Sequence, residues 1–290
     1  MTAVEWTIVT MSRGDESRLA EWVTYHAILG FTRFHVVLDA PVDRSARVLR
    51  DVGRRLGLDV VVEERAPVGE YYDGLDPASR RKKILAWRER HREEIEERGL
   101  PINDVISWRQ HLHLPEVLAT YVDRGEGWLA LIDVDEFLVF PGTLENLVAD
   151  RSAPRLLFRN FNFDTSGHDP QRPVLEQHTM RWSRGGIEGY GRWWDRRAKA
   201  LVRYECALPL DSVHVVSRGA FEVLDYEECR LHHFRMPREE LGIPYDVEDR
   251  AALEIASRSV PGSARPRWSR ARTWLGLSAR AGGQRSAGAR

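Results

Sequence analysis

Three acids are wedged between two apolar runs in residues 128–140, WLALIDVDEFLVF. This stretch limits the chain more than any other. Residues 128–132 read as a buried strand, and residues 137–140 as a second apolar run closed by Pro141-Gly142. Asp133, Asp135 and Glu136 between them are costly to bury unless something positive compensates them. In an extended chain, side chains at i and i+2 share a face. Asp133 and Asp135 are therefore expected to converge at the strand's end. Two hard oxygen donors close together suit Mg or Mn, with phosphate oxygens and water completing the shell.

The segments before this stretch alternate. Residues 6–11 (WTIVTM) read as a strand, residues 12–16 as a turn, and residues 17–29 as a helix stopped by Gly30. Residues 34–38 form a second strand ending at Asp39. Pro41 and Asp43 open a helix whose buried face carries Ala46, Leu49, Val52 and Leu56, and residues 58–62 (LDVVV) form a third strand. The runs are apolar enough for a parallel sheet covered on both faces. The expected class is α/β, beginning with a Rossmann-like nucleotide-binding half.

Further on, residues 66–77 read as loop and residues 79–98 as a charged helix with a solvated face. Residues 105–122 read as a helix broken at Pro115, and a short helix starts near Thr143. In the second half, residues 155–159, 200–203 and 212–216 read as strands. Residues 160–173 and the glycine-rich residues 184–191 read as loops. Residues 231–234 (LHHF) precede a last small helix.

Charge narrows the partners. With 43 basic and 44 acidic side chains, the chain presents no global case for nucleic acid or an anionic membrane. Seven arginines and no acid fall within residues 259–290. That stretch reads as a disordered basic tail, with a peripheral anionic molecule as its expected partner. Two cysteines, Cys206 and Cys229, fit free buried thiols better than a disulfide framework or a zinc site. No stretch approaches the roughly 18 apolar residues of a membrane span, so a cytoplasmic protein is expected. Of the 10 tryptophans, Trp182, Trp193 and Trp194 lie close in sequence; such rings stack on sugars in some grooves and fill cores in more.

Four segments carry a resemblance to a known group. They are residues 7–37 (TIVTMSRGDESRLAEWVTYHAILGFTRFHVV), residues 128–140, residues 161–170 (FNFDTSGHDP), and residues 196–203 (RRAKALVR) followed by His214 and LHHF. Together they resemble bacterial glycosyltransferases of the family-two-like group, with its DxDEF signature, which is related to DUF23-type galactosyltransferases. The resemblance covers roughly residues 6–241. It implies a GT-A-like fold with residues 1–140 as the nucleotide-sugar half, residues 141–258 as the acceptor-side half, and residues 259–290 as the tail.

The same resemblance implies a metal-dependent transfer of a sugar from a nucleoside diphosphate, with a UDP-sugar the expected donor. The acceptor would be a glycan or another hydroxyl compound, and the anomeric centre would invert. By similarity Asp135 binds Mn or Mg directly, Asp133 reaches the metal or the ribose, and His233 or its neighbour His232 adds a ligand. Arg13, Glu16 and Asp39 would hold base and ribose. The chain departs from the group's pattern at Gly14-Asp15 and at residues 40–43 (APVD).

Lys199 and Arg203 are candidates to steady the departing phosphates. An inverting transfer needs a base, for which Asp164 and Asp169 are favoured over His168 and Glu188. Glu136 is expected to face away from the aspartates and to act from behind them. Two rivals are a non-catalytic nucleotide- or sugar-binding module and a haloacid-dehalogenase-like phosphohydrolase whose first aspartate is the nucleophile.

Overall fold

A computed structural model describes residues 4–99, 102, 104–189, 198–212, 215–216, 218–236, 238 and 241–258. The tail, Trp193, Trp194 and His214 lie outside the described residues.

The first half follows the sequence pattern closely. Strand β1 (Glu5–Ser12) leads to helix α1 (Glu16–Leu29), β2 (Arg33–Asp39), α2 (Ser45–Leu56) and β3 (Asp59–Arg65). Gly30 and Gly57 end the two helices in the left-handed conformation that glycine adopts without steric cost. Next come α3 (Pro77–Arg90), α4 (Arg92–Arg98) and α5 (Val105–Val122), then β4 (Gly127–Leu131) and β5 (Glu136–Val139).

The second half contains α6 (Leu144–Val148), β6 (Arg155–Asn162), α7 (Val174–Gln177), β7 (Met180–Trp182), α8 (Arg184–Glu188) and β8 (Lys199–Arg203). It finishes with β9 (Leu210–Ser212), β10 (Val215–Val216), β11 (Phe221–Val223), β12 (Arg230–His233), β13 (Tyr245–Glu248) and α9 (Ala251–Ala256). The fold class is the expected α/β.

Both halves build one mixed sheet in the order β3-β2-β1-β4-β8-β6-β12-β5, with β11 also paired to β6. Pairings are parallel from β3 to β4, while β8 runs antiparallel to β4 and β6. β12 is parallel to β6, and β5 is antiparallel to β12. The C-terminal ends of the parallel strands, and the starts of β8 and β5, therefore share one rim.

β5 ends the sheet, and α1 satisfies its outer edge. The Trp22 indole N–H donates to the Glu136 carbonyl (2.9 Å), and the Tyr25 hydroxyl donates to the Leu138 carbonyl (2.7 Å). His26 accepts the Leu138 N–H at Nε2 (3.3 Å), while its Nδ1 lies 2.9 Å from the Trp22 carbonyl. These are buried groups, so each bond removes an orphan that would otherwise be costly. The Trp–Tyr–His series of α1 thus stands in for a missing strand.

Three local expectations are corrected. α5 runs unbroken through Pro115. The lost backbone bond is outweighed by burial of Leu114, Val117, Leu118 and Tyr121 on either side. Residues 184–188 are helical rather than loop, because the Ser183 hydroxyl caps the Gly186 N–H and Ile187 is fully buried. The charged segment splits into α3 and α4 at His91, and its Trp87 packs in a satellite core with Tyr72, Ile102 and Val105. Among the described residues, no helix is long and apolar enough to cross a membrane.

Candidate active site

The chain leaves β1 toward β2 and β3 on one side, then returns to β4 on the other. Where strand order reverses in such a sheet, the connections diverge and a crevice opens at the carboxyl ends of the strands. A cavity of about 1100 Å³ lies there. Ser12 and Arg13 reach it from the end of β1, Asp39 from β2, Asp133 to Glu136 from the end of β4, Lys199 from the start of β8, and His233 from the end of β12. Its volume is slightly above the usual range for small-molecule sites.

The acids do not converge by strand alternation. β4 ends at Leu131, and Asp133 to Asp135 form a turn closed by the Glu136 N–H donating to the Asp133 carbonyl (3.1 Å). The turn, not an extended chain, brings both aspartates to the cavity. Glu136 does not face away as expected. Its carboxylate accepts the Asp133 N–H (2.9 Å) and lies 3.1 Å from Lys199 Nζ. The same ammonium is 2.9 Å from Asp133 Oδ2. Lys199 sits at the start of a strand antiparallel to β4, which is why it meets the acids that follow β4. Burial pushes the Glu136 carboxyl up, and the Lys199 ammonium opposes this. Lys199 and Glu136 are both nearly fully buried. A lysine at this depth is held by its two acids rather than left to solvent.

Asp135 has a different partner. Its Oδ2 lies 3.4 Å from His233 Nε2. Burial works to raise the Asp135 carboxyl, but the His233 imidazole, with Arg18 and Lys199, holds it well below the usual carboxylate range. Register in the sheet sets His233 beside Glu136 on one side and Asn162 on the other. His233 Nδ1 lies 2.9 Å from both Asn162 Oδ1 and Asn160 Nδ2. His232 projects to the opposite face, against Phe163 and 3.3 Å from Asp249 Oδ2.

Among the described residues, no group of three or more His, Cys, Asp or Glu is arranged to hold a metal. Asp135 and His233 nevertheless fit a cation whose remaining ligands come from elsewhere. They offer an oxygen and a nitrogen at one point, and the ring's far nitrogen is fixed by amides, as ligating histidines usually are. Among the described residues, the buried Asn160 Oδ1 beside them has no hydrogen-bond partner. Magnesium-type sites often use one or two protein groups plus phosphates and water.

The opposite wall is built on Asp39. Its carboxylate accepts from Arg109 Nε (2.7 Å) and from the Tyr71 hydroxyl (3.1 Å). Asp39 and Arg109 are each about 2% exposed. The Tyr71 ring lies between the guanidinium groups of Arg13 and Arg109, 4.1 Å from each. Arg13 also pairs with Asp73 (2.5 Å) and donates to the carbonyls of Asp39 and Ala40. Ala40 takes a left-handed φ of 44°, strain of the kind that collects at functional turns. The sequence reading overlooked Arg109 and Tyr71. The available signal was an arginine four residues after Val105, on the buried side of α5.

Other candidates lie elsewhere. Glu16 pairs with Arg44 (2.7 Å) and is not among the residues lining the cavity. Neither Asp164 nor Asp169 lines it. Asp164 accepts the Ser166 N–H (3.0 Å) and pairs with Arg238 (2.9 Å); Asp169 accepts the Gln171 N–H (2.9 Å). His168 Nδ1 meets His178 Nε2 at 3.1 Å. Glu188 pairs with Arg184 on α8. Arg203 lies over Trp128 at the far end of β8, and Trp182 is in the core.

No family model and no curated protein matches the chain. Solved structures with a detectable likeness include S. aureus TarS 1-349 in complex with UDP, at 11% identity and a TM-score of 0.40, covering 79% of this chain and 60% of that one. S. aureus TarS gives 12% identity and a TM-score of 0.40, covering 81% of this chain and 37% of that one. Core-mannan synthase A (CmsA/Ktr4) from Aspergillus fumigatus in its Mn/GDP form gives 9% identity and a TM-score of 0.28, covering 56% and 44%. The chain spans about 60% of the length of TarS 1-349.

Proposed function

We propose that this chain is a GT-A-like, metal-dependent glycosyltransferase of the family-two-like, DUF23-related kind. In this reading it moves a sugar from a nucleoside diphosphate, with UDP the expected nucleotide, to a glycan or other hydroxyl acceptor with inversion. One observation carries the reading. Asp135 and His233 meet at 3.4 Å on the rim where strand order reverses, inside a cavity large enough for a nucleotide-sugar.

Asp135 and His233 would hold a Mn or Mg ion. That ion, when bound, supplies Lewis-acid neutralisation of charge on the diphosphate. The rest falls to the chain's own residues. Lys199 bridges Asp133 and Glu136 and fixes the turn that aims Asp135. It is a positioning residue, with its ammonium already shared between two acids. The wall of Arg13, Asp39, Tyr71 and Arg109 would receive the nucleoside, since Arg13 and Tyr71 present planar groups to the cavity. Glu16 would serve that wall indirectly, through Arg44 and the turn before α2.

The test is product formation. Purified full-length chain with manganese is offered UDP-glucose, UDP-galactose and UDP-N-acetylglucosamine, and released UDP is measured. Release that needs the metal and falls to background in Asp135→Ala supports the reading. Release that ignores the metal, or UDP binding without release from any donor, contradicts it.

A further inference from the structure

The cavity's two walls differ in how their acids are occupied. Nearly every carboxylate that reaches the cavity is already bound. Asp39 is held by Arg109, Asp73 by Arg13, Asp133 and Glu136 by Lys199, and Asp135 by His233. Asp15 accepts from the Ser12 hydroxyl at 2.8 Å and is 3.6 Å from Arg18. Asp211 also lines the cavity. It is exposed, and among the described residues its carboxylate has no hydrogen bond or ion pair.

Its placement is built rather than incidental. Asp211 is the middle residue of β9, between Leu210 and Ser212. Leu210 is buried in the cluster formed by Leu114, Val117 and Leu118 of α5 with Val202. Successive side chains of a strand alternate, so anchoring Leu210 turns Asp211 to the open side. The cavity wall from the C-terminal half contains Asn160, Lys199, Asp211 and His233, and Asp211 is its one acid among the described residues.

We infer that Asp211 is the general base that accepts the acceptor's hydroxyl proton, an inference that rests on the transferase reading above. A base needs a free lone pair, and a carboxylate already held by a guanidinium or ammonium has its lone pairs engaged. In the step, the acceptor oxygen forms a bond to the anomeric carbon while its proton passes to the Asp211 carboxylate. The bond from that carbon to the diphosphate oxygen breaks, and its electron pair leaves with the nucleoside diphosphate. The products are a glycoside, the nucleoside diphosphate and a protonated Asp211 that returns its proton to water.

The experiment uses the full chain with manganese. UDP and GDP binding are measured by calorimetry, and UDP release from the three UDP-sugars above is measured for wild type, Asp211→Asn, Asp211→Ala and Asp164→Asn. The expected result is UDP affinity within about twofold of wild type in both Asp211 variants, with kcat lowered about 100-fold or more, the usual worth of a general base. Formate should restore part of the Asp211→Ala rate. Asp164→Asn should stay near wild type. Asp211→Asn with kcat within about threefold of wild type overturns the assignment alone. So does an Asp211 variant that loses UDP affinity in step with kcat. Wild type that binds neither UDP nor GDP with metal overturns the transferase reading, and this assignment with it.

Discussion

His233 Nδ1 lies 2.9 Å from Asn162 Oδ1, on adjacent parallel strands where the two residues are in direct register. This contact turns Nε2 toward Asp135 and defines the point where a cation would sit. Groups that orient a ligating imidazole typically contribute about 10- to 100-fold to metal affinity. Asn162→Ala should therefore raise the manganese concentration needed for half-maximal UDP binding by about tenfold. Manganese titration at fixed UDP checks this, and an unchanged midpoint would remove Asn162 from the site.

Lys199 carries a second expectation. Its ammonium lies between Asp133 and Glu136, and Glu136 is about 1% exposed. Removing one member of a buried ion pair costs about 3–5 kcal/mol, because the other is left charged and unpaired. Lys199→Met should lose that much stability in urea denaturation. Lys199→Met combined with Glu136→Gln should recover a large part of it. A double variant as unstable as the sum of its parts would show the pair is not coupled.

Trp22 is expected to act through the backbone. Its indole N–H satisfies the Glu136 carbonyl at the start of an edge strand. Trp22→Phe keeps most of the apolar volume and leaves that buried carbonyl unpaired, at a cost of about 1–3 kcal/mol. Urea denaturation measures the loss. Hydrogen exchange at Glu136 and Phe137 should quicken while exchange in β1 does not.

His26 sets an acid-side limit. Burial pushes its imidazole down to about 3 from an ordinary 6.5. The unfolded chain therefore takes up this proton first as pH falls. The contribution is whole above about pH 6.5 and is lost progressively as pH drops toward 3. His26→Gln should be less stable than wild type near pH 7.5, with the gap shrinking by about 2 kcal/mol at pH 5, at about 1.4 kcal/mol per unit below 6.5. Denaturant midpoints at the two pH values test it; a constant gap contradicts it.

Sequence carried the first half of the fold well, because β1 to β3 and their helices are local units with clear stops at Gly30 and Gly57. The acid stretch was legible for the same reason: charge between buried runs is rare enough to stand out. Its geometry was not. Alternation assumed an extended chain, whereas β4 stops at Leu131 and a turn takes over. Contacts set by sheet order were beyond reach as well. Lys199 meets Asp133 because β8 inserts antiparallel between β4 and β6, and His233 meets Asp135 through the β12–β5 pairing. Arg109 and Tyr71 were hidden because a helix and a loop converge on Asp39 from sequence-distant positions. Asp211 carries no motif at all; its interest comes from its neighbours' occupancy.

The most direct measurement is calorimetric titration of UDP, then GDP, into wild type and Asp135→Ala, each with and without manganese. The account predicts binding of one nucleotide that requires manganese in wild type and is lost in Asp135→Ala while the variant stays folded. Binding of equal strength without metal, or unchanged in Asp135→Ala, would contradict it.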